Sequence, residues 1–144
     1  MSTITDIADA VVTGLNAGTF SQEFTAQRSY RPVMDLPQLQ ALHVTVVPRD
    51  VTIASAGRDR NQHDCRIDIA VQKKVDQEQP AEIDSLMDLV EEIIECFQGH
   101  RLDDYPDAAL VRIENAPIYS VEHMDQHQVF TSVVTLTYRM WRQL

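Results

Sequence analysis

Several of the residues from which common active sites are built are scarce in this chain. Glycine occurs four times in 144 residues, always singly, at positions 14, 18, 57 and 99, which excludes a Gly-rich phosphate loop. Neither a G-x-S-x-G nucleophile turn nor an H-E-x-x-H metal helix nor a kinase pattern occurs. Cysteine occurs twice, as Cys65 and Cys96, with no C-x-x-C spacing, so two half-buried free thiols are expected rather than a disulfide. No apolar run approaches the roughly 20 residues that cross a bilayer, so no membrane partner is expected. The start, MSTITDIADAVV, lacks a basic segment and carries Asp6 and Asp9, so it does not read as a secretory signal, and cytoplasmic synthesis is expected. Positive charge is also short: 12 Lys and Arg against 22 Asp and Glu give a formal charge of −10. That balance argues against wrapping nucleic acid by neutralising phosphates, but not against a surface that DNA passes without sticking. Only Lys73 and Lys74 are lysines; the other ten cations are Arg, whose fork suits pairing with carboxylates at interfaces and hints at self-association.

What is present is pattern. The length is that of one domain with a single core, residues 1–144, and the hydrophobic fraction of 44% is ordinary for a globular chain. The stretch PAEIDSLMDLVEEIIECFQG places Ile83, Leu86, Met87, Val90, Ile93, Ile94 and Phe97 on one stripe of a helix. Glu82, Asp84, Asp88, Glu91, Glu92 and Glu95 occupy the other face, which belongs in solvent or against a basic partner. Pro80 suits the first turn and Gly99 a left-handed stop. Thr3 to Ala17 predicts an earlier amphipathic helix, capped by Thr3 or Thr5 and closed by Gly18.

Between the helices, Phe20 to Met34 reads as extended, and Pro32 and Pro37 fence a turn, VMDLPQL. Leu42 to Val47 alternates as a strand, Pro48 to Asp50 predicts a turn, and Val51 to Ala54 resumes extended. Ser55 to Asp64, SAGRDRNQHD, is nearly free of apolar residues and predicts a long exposed loop or the extended tip of a hairpin. Cys65 to Val75 is a strand with Ile67, Ile69 and Val71 inward and Arg66, Asp68 and Gln72 outward. KKVDQEQP is a polar connector. After Gly99 a loop leads to a short strand at Ala109 to Ile113. Pro117 to Met124 and Gln128 to Trp141 then predict a hairpin turning at Asp125 to His127, the last strand dividing into a Phe130, Val134, Leu136, Tyr138 and Met140 face and a Thr-rich face. The sum is an α+β fold: a mostly antiparallel sheet with two helices packed on one face, as one domain, its edges in need of cover.

Three groups of residues carry possible chemistry. His123, Asp125 and His127 around the expected turn contain ligand types for a metal, but polar residues are what a turn has anyway, and no metal is assigned. His63 and Cys65 share one side of a strand with Asp64 opposed, a Cys-His pair with no oxyanion site, so no catalytic residue is assigned either. No cofactor is expected. Arg58, Asp59 and Arg60 on the exposed segment, and Glu91, Glu92 and Glu95 on the acidic helix, are the candidate interface residues. If copies pack side by side, the two arginines have the reach to meet a neighbour's glutamates.

The order ITDIADAVVTGLN, LHVTVVPRDVTIASAGRDRNQHDCRIDIAVQKKV, EIDSLMDLVEEIIECF and VVTLTYRMW resembles the tail-terminator and tail-completion proteins of long-tailed bacteriophages and prophages. The likeness spans nearly the whole chain but lies in pattern and order, without a catalytic signature. It implies a virion structural protein of the tail and neck: a hexameric ring that caps the head-proximal end of the tube of major tail protein and offers a docking face to the head-tail stopper or connector. Genomic DNA would pass through the lumen without specific binding, and an acidic lumen would let it slide. The alternatives are another neck component, such as a head-completion or stopper protein, and a small ligand-binding α+β module.

Overall fold

The computed structural model describes residues 2–32, 36–76 and 78–143. Along the chain run α1 (Thr3–Ala17), β1 (Ala26–Arg28), a 3-10 turn (Leu36–Gln40), β2 (His43–Ser55), β3 (Arg60–Lys74), α2 (Pro80–Phe97), β4 (Ala109–Glu114), α3 (Val121–His127) and β5 (Val129–Gln143). The strands form one five-stranded sheet in the order β1-β2-β3-β5-β4. All neighbours are antiparallel except β1, which runs parallel to β2. The α+β class expected from the sequence is the one the chain adopts.

The core follows from strand parity. Successive side chains of a strand point to opposite faces, so Ile67, Ile69 and Val71 of β3 share a face with Val44 and Val46 of β2 and with Phe130, Val134, Leu136 and Tyr138 of β5. Against that face lie Ile7, Ala8, Val11 and Leu15 of α1 and Leu86, Leu89, Val90, Ile93 and Phe97 of α2, in one buried cluster. Each of the larger side chains contributes about 1.5–3 kcal/mol by leaving water. Leu89, which the stripe read from sequence omitted, is fully buried. Asn16 ties the end of α1 to β1: its Oδ1 accepts from Ala26 N at 2.8 Å and its Nδ2 donates to Ala26 O at 3.2 Å.

Several local expectations are corrected. Pro48 to Asp50 is not a turn; β2 runs through it, with a bulge between Pro48 and Asp50, and among the described residues β2 has no outer partner there to miss the proline's N–H. The segment Ser55 to Asp64 takes the hairpin form rather than the loop form, because β3 begins at Arg60. Asp125 to His127 is not a hairpin turn but the end of α3. Ser120 begins that helix by accepting from His123 N at 3.3 Å, and Gln128, at φ 54°, ends it. The strand expected over Pro117 to Met124 is therefore replaced in its second half by a helix, which the cap sets. Gln72 is not outward into solvent but only 2% exposed. It lies on the sheet's second face, where the 3-10 turn packs on β3 and where Leu39, Val47 and Ala70 are buried apart from the main cluster. The first cap of α1 is Ser2 rather than Thr3 or Thr5, and Gly18 closes that helix in an extended conformation. Residues 33–35 of the expected VMDLPQL turn and residue 77 of the polar connector lie outside the described residues.

Tyr138 sits at the centre of β5, fully buried, and its hydroxyl has no hydrogen-bond partner among the described residues. Burial raises its pKa, so it stays neutral. Removing an unsatisfied buried hydroxyl without changing shape is close to neutral or favourable. Tyr138→Phe is therefore expected to leave unfolding stability unchanged or raise it by up to about 1 kcal/mol. Chemical denaturation measures this, and a loss of more than about 1 kcal/mol would reveal a partner for the hydroxyl.

Candidate functional site: a strand arm and an acidic helix

The sheet has a covered part and a bare part. β1 pairs with β2 only at Val44, Thr45 and Val46, with Ser29 N donating to Val46 O just beyond. Past the bulge, residues 51–55 are all exposed, and they include two β-branched apolar side chains, Val51 at 42% and Ile53 at 58%. With the start of β3 they form an arm. Its tip is tight: Ala56 N donates to Arg60 O at 3.1 Å, and Ser55 Oγ donates to Gly57 O at 3.2 Å. Gly57 has φ 144°, which a side chain would strain. Arg58, Asp59 and Arg60 thus crown the arm, all exposed, and neither guanidinium has a hydrogen bond or ion pair among the described residues.

The arm's root is fixed by forked ion pairs on the second face. Arg66 donates from Nε and Nη2 to Asp50 at 2.6 and 2.5 Å, joining β3 to β2. Arg139 donates from Nε and Nη2 to Asp64 at 2.9 and 3.1 Å, joining β5 to β3. Asp68 accepts from Thr135 Oγ1 at 2.8 Å and lies 3.7 Å from Arg49. Arg28, too, pairs with Asp9 at 2.7 Å. Much of the arginine excess is therefore spent on carboxylates of the same chain, not held for another copy. The hydrogen bonds from Arg139 hold the Asp64 carboxyl below its usual range.

The acidic helix is less uniform than its sequence. Glu91 and Glu95 are exposed. Glu92 is occupied: Ser21 donates to it from its backbone N at 2.8 Å and from its hydroxyl at 2.5 Å, strapping the segment after α1 across α2. Glu82 pairs with Lys73 at 3.1 Å. Among the described residues no ion pair joins Arg58 or Arg60 to Glu91, Glu92 or Glu95; the first group crowns the arm and the second lies on α2. A further acidic group stands in the loop between α2 and β4, where Asp103, Asp104 and Asp107 are exposed and Arg101 is turned to Pro106 O at 2.8 Å.

The residues weighed for chemistry are placed otherwise. Cys65 is 1% exposed, facing α1 and α2, and burial pushes its thiol pKa up, away from the reactive thiolate. Cys96 is half-buried and shifted the same way for the same reason. Asp64, on the opposite face, is engaged by Arg139. His123 Nδ1 lies 2.9 Å from Thr131 Oγ1, and among the described residues no three His, Cys, Asp or Glu side chains gather to hold a metal. Sequence reasoning expected sheet edges in need of cover but did not place this one. Its signal was there, in the five uncharged residues VTIAS between Asp50 and the tip.

The Asp64–Arg139 pair carries a pH dependence. A carboxyl whose folded pKa is depressed adds stability above its unfolded value, near ~3.9, and loses it as the pH falls through the folded value. Asp64→Asn should cost about 1 kcal/mol at pH 7, because the pair is part-exposed, and that cost should shrink below about pH 4. Denaturation at several pH values checks it; a cost that does not vary with pH would assign it to packing instead.

No family model matches the sequence, and no curated protein matches it. Among solved structures, the chain is similar to a sheath/tube terminator of an extracellular contractile injection system, PVC, in its extended state. The TM-score is 0.53 at 16% identity, over 100% of this chain and 57% of that one. The chain spans a little over half the length of that neighbour, and the likeness is one of fold.

Proposed function

We propose that this protein is a tail terminator: a structural protein that closes one end of a phage or phage-like tail tube by assembling as a ring of about six copies. The observation that carries the proposal is the fold shared, over the whole of this chain, with a sheath/tube terminator of a contractile injection system. The arrangement of the chain supports it. Two of its exposed features are a stiff-rooted arm whose arginines at 58 and 60 are unpaired among the described residues and a helix whose Glu91 and Glu95 are likewise unpaired there, features suited to contact rather than turnover. No catalytic step is proposed; the thiol of Cys65, two residues from His63, belongs to the core.

In this reading the partners are further copies of the chain, the tube protein below, and the head-tail connector or stopper, or the sheath of a contractile particle, above. Arg58, Asp59 and Arg60 are interface residues. Glu91 and Glu95, with the rest of the acidic face, supply negative charge that repels DNA phosphates if α2 faces the bore. The finished protein resides in the particle's tail and neck.

A neck protein of the stopper class is the runner-up, because it also assembles at the head-proximal end. The two differ in what their loss does. Particles made without this protein should carry tubes of uncontrolled length when imaged by negative-stain electron microscopy, and supplying the protein should restore one length. Tubes of normal length that fail to join heads would overturn the terminator reading in favour of the stopper.

A further inference from the structure

We propose that two copies of this chain join through the bare edges of their β2 arms, antiparallel and about a two-fold axis at Ile53, so that one sheet continues into the other. This joint goes beyond the terminator reading and does not rest on it.

The first support is which edge lies open. Edge strands are guarded by brevity, charge, proline or a bulge. β4 is six residues long, carries Arg112 paired with Glu114 at 3.0 Å, and is bulged between Leu110 and Arg112. The end of β5 beyond β4 carries Arg142, and β1 is three residues long with Arg28 in it. The middle of β2 is guarded in turn by Pro48, Arg49, Asp50 and the bulge there. Residues 51–55, VTIAS, have none of these devices. Among the described residues no strand pairs outside them, and Val51 and Ile53 stand 42% and 58% exposed.

Backbone direction supplies the second support. Ala56 N donates to Arg60 O, so Ala56 turns its polar groups inward to β3, and by alternation Ala54 and Thr52 do the same. Val51, Ile53 and Ser55 therefore turn theirs outward, where a further strand would lie. Val51 stands opposite Cys65 and Ile53 opposite His63, so both apolar side chains are on the helix face of the sheet.

The shape of the bare run points to a second copy as its occupant. A two-fold axis at Ile53 sets Ile53 opposite Ile53, Val51 opposite Ser55 and Thr52 opposite Ala54. Every outward residue then meets an outward residue of the other arm, and the Val51 and Ile53 side chains of both arms lie side by side on one face. The pairing uses the whole run and stops where the guard begins, because Ala56 of one arm comes level with Asp50 of the other. Charge selects the direction. Antiparallel arms hold the two arginine-bearing tips roughly 30 Å apart. Each tip lies beside the other copy's root, where Asp50 is already taken by Arg66. Parallel arms would bring Arg58 and Arg60 of both copies together, which like charge opposes. Antiparallel arms also place the two bodies at opposite ends of the joint, and each tip ends short of Val46, where Ser29 pairs. A joint of this kind closes on itself instead of propagating, so the unguarded edge is hidden while the pair holds.

Sedimentation velocity over a concentration series, comparing wild type with Ile53→Pro, reads the pair as a doubling of mass. Proline at 53 removes an outward N–H and leaves the β2–β3 ladder whole, so it should weaken pairing about tenfold or more, with far-UV circular dichroism unchanged. Val111→Lys, on the exposed β4 edge, should leave pairing as it is. Direction is read by a short bis-maleimide in a Cys96→Ser chain: Ile53→Cys should give a covalent pair, and Arg58→Cys should not. The joint is overturned if the wild type shows no doubling, if Ile53→Pro leaves the doubling in place, or if Arg58→Cys links as readily as Ile53→Cys. Ile53→Pro chains that still form rings but no longer pair would support the joint and the terminator reading as separate contacts. A wild-type chain that pairs but forms no ring on a tube end would overturn the terminator reading and leave the joint standing.

Discussion

The pairing of β3 with β5 is the constraint on which the rest depends. It runs without a break from Arg60 opposite Gln143 to Lys74 opposite Val129, and it joins strands that lie far apart in sequence. Once that register is set, parity decides the fate of every side chain on both strands, because a slip of one residue would exchange the faces. Ile67, Ile69, Val134 and Leu136 go to the helices; Asp64, Asp68, Thr135 and Arg139 go to the other side. The polar second face reinforces the choice, since the Asp64–Arg139 fork and the Thr135–Asp68 bond form only in this register. Long-range antiparallel pairing of this kind is slow to find.

The same ladder explains why the molecule has a covered part and a bare arm. α1 and α2 cap the helix face, and β1 and the 3-10 turn cover the start of β2. The ladder is longer than that covering, so the β2–β3 hairpin and the end of β5 extend beyond it. Two devices keep the extension stiff: the Asp50–Arg66 fork at its root and, at its end, the bond from the Arg142 guanidinium to the Thr3 hydroxyl. A stiff projecting edge of this kind is suited to contact with another chain.

Much of this was legible in the sequence, and the boundary of legibility is physical. Both long helices were readable because a stripe at 3.6 spacing with Pro80 at one end and Gly99 at the other has no competing strand pattern. The division of β5 into an aliphatic and a Thr-rich face was equally plain. α3 was missed because Ser120 capping is a single hydrogen bond set among strand-forming residues. The through-strand at Pro48 was missed because proline signals a turn unless one knows that the strand lies at an edge. Burial of Gln72 accompanies the packing of a separate 3-10 turn on β3. The candidate arginines are on an exposed tip, as their composition suggested, whereas the glutamates split, Glu92 being taken by Ser21 through a contact 71 residues away in sequence. No local pattern encodes such a partner.

What unites these features is a protein whose function lies in geometry repeated by copies of itself. The measurement that bears on this most directly is a cryo-electron microscopy reconstruction of the particle's tube end with the protein in place. The account predicts a closed ring of this chain seated on the terminal tube layer. A lone subunit at that position, or this chain found elsewhere in the particle, would contradict it.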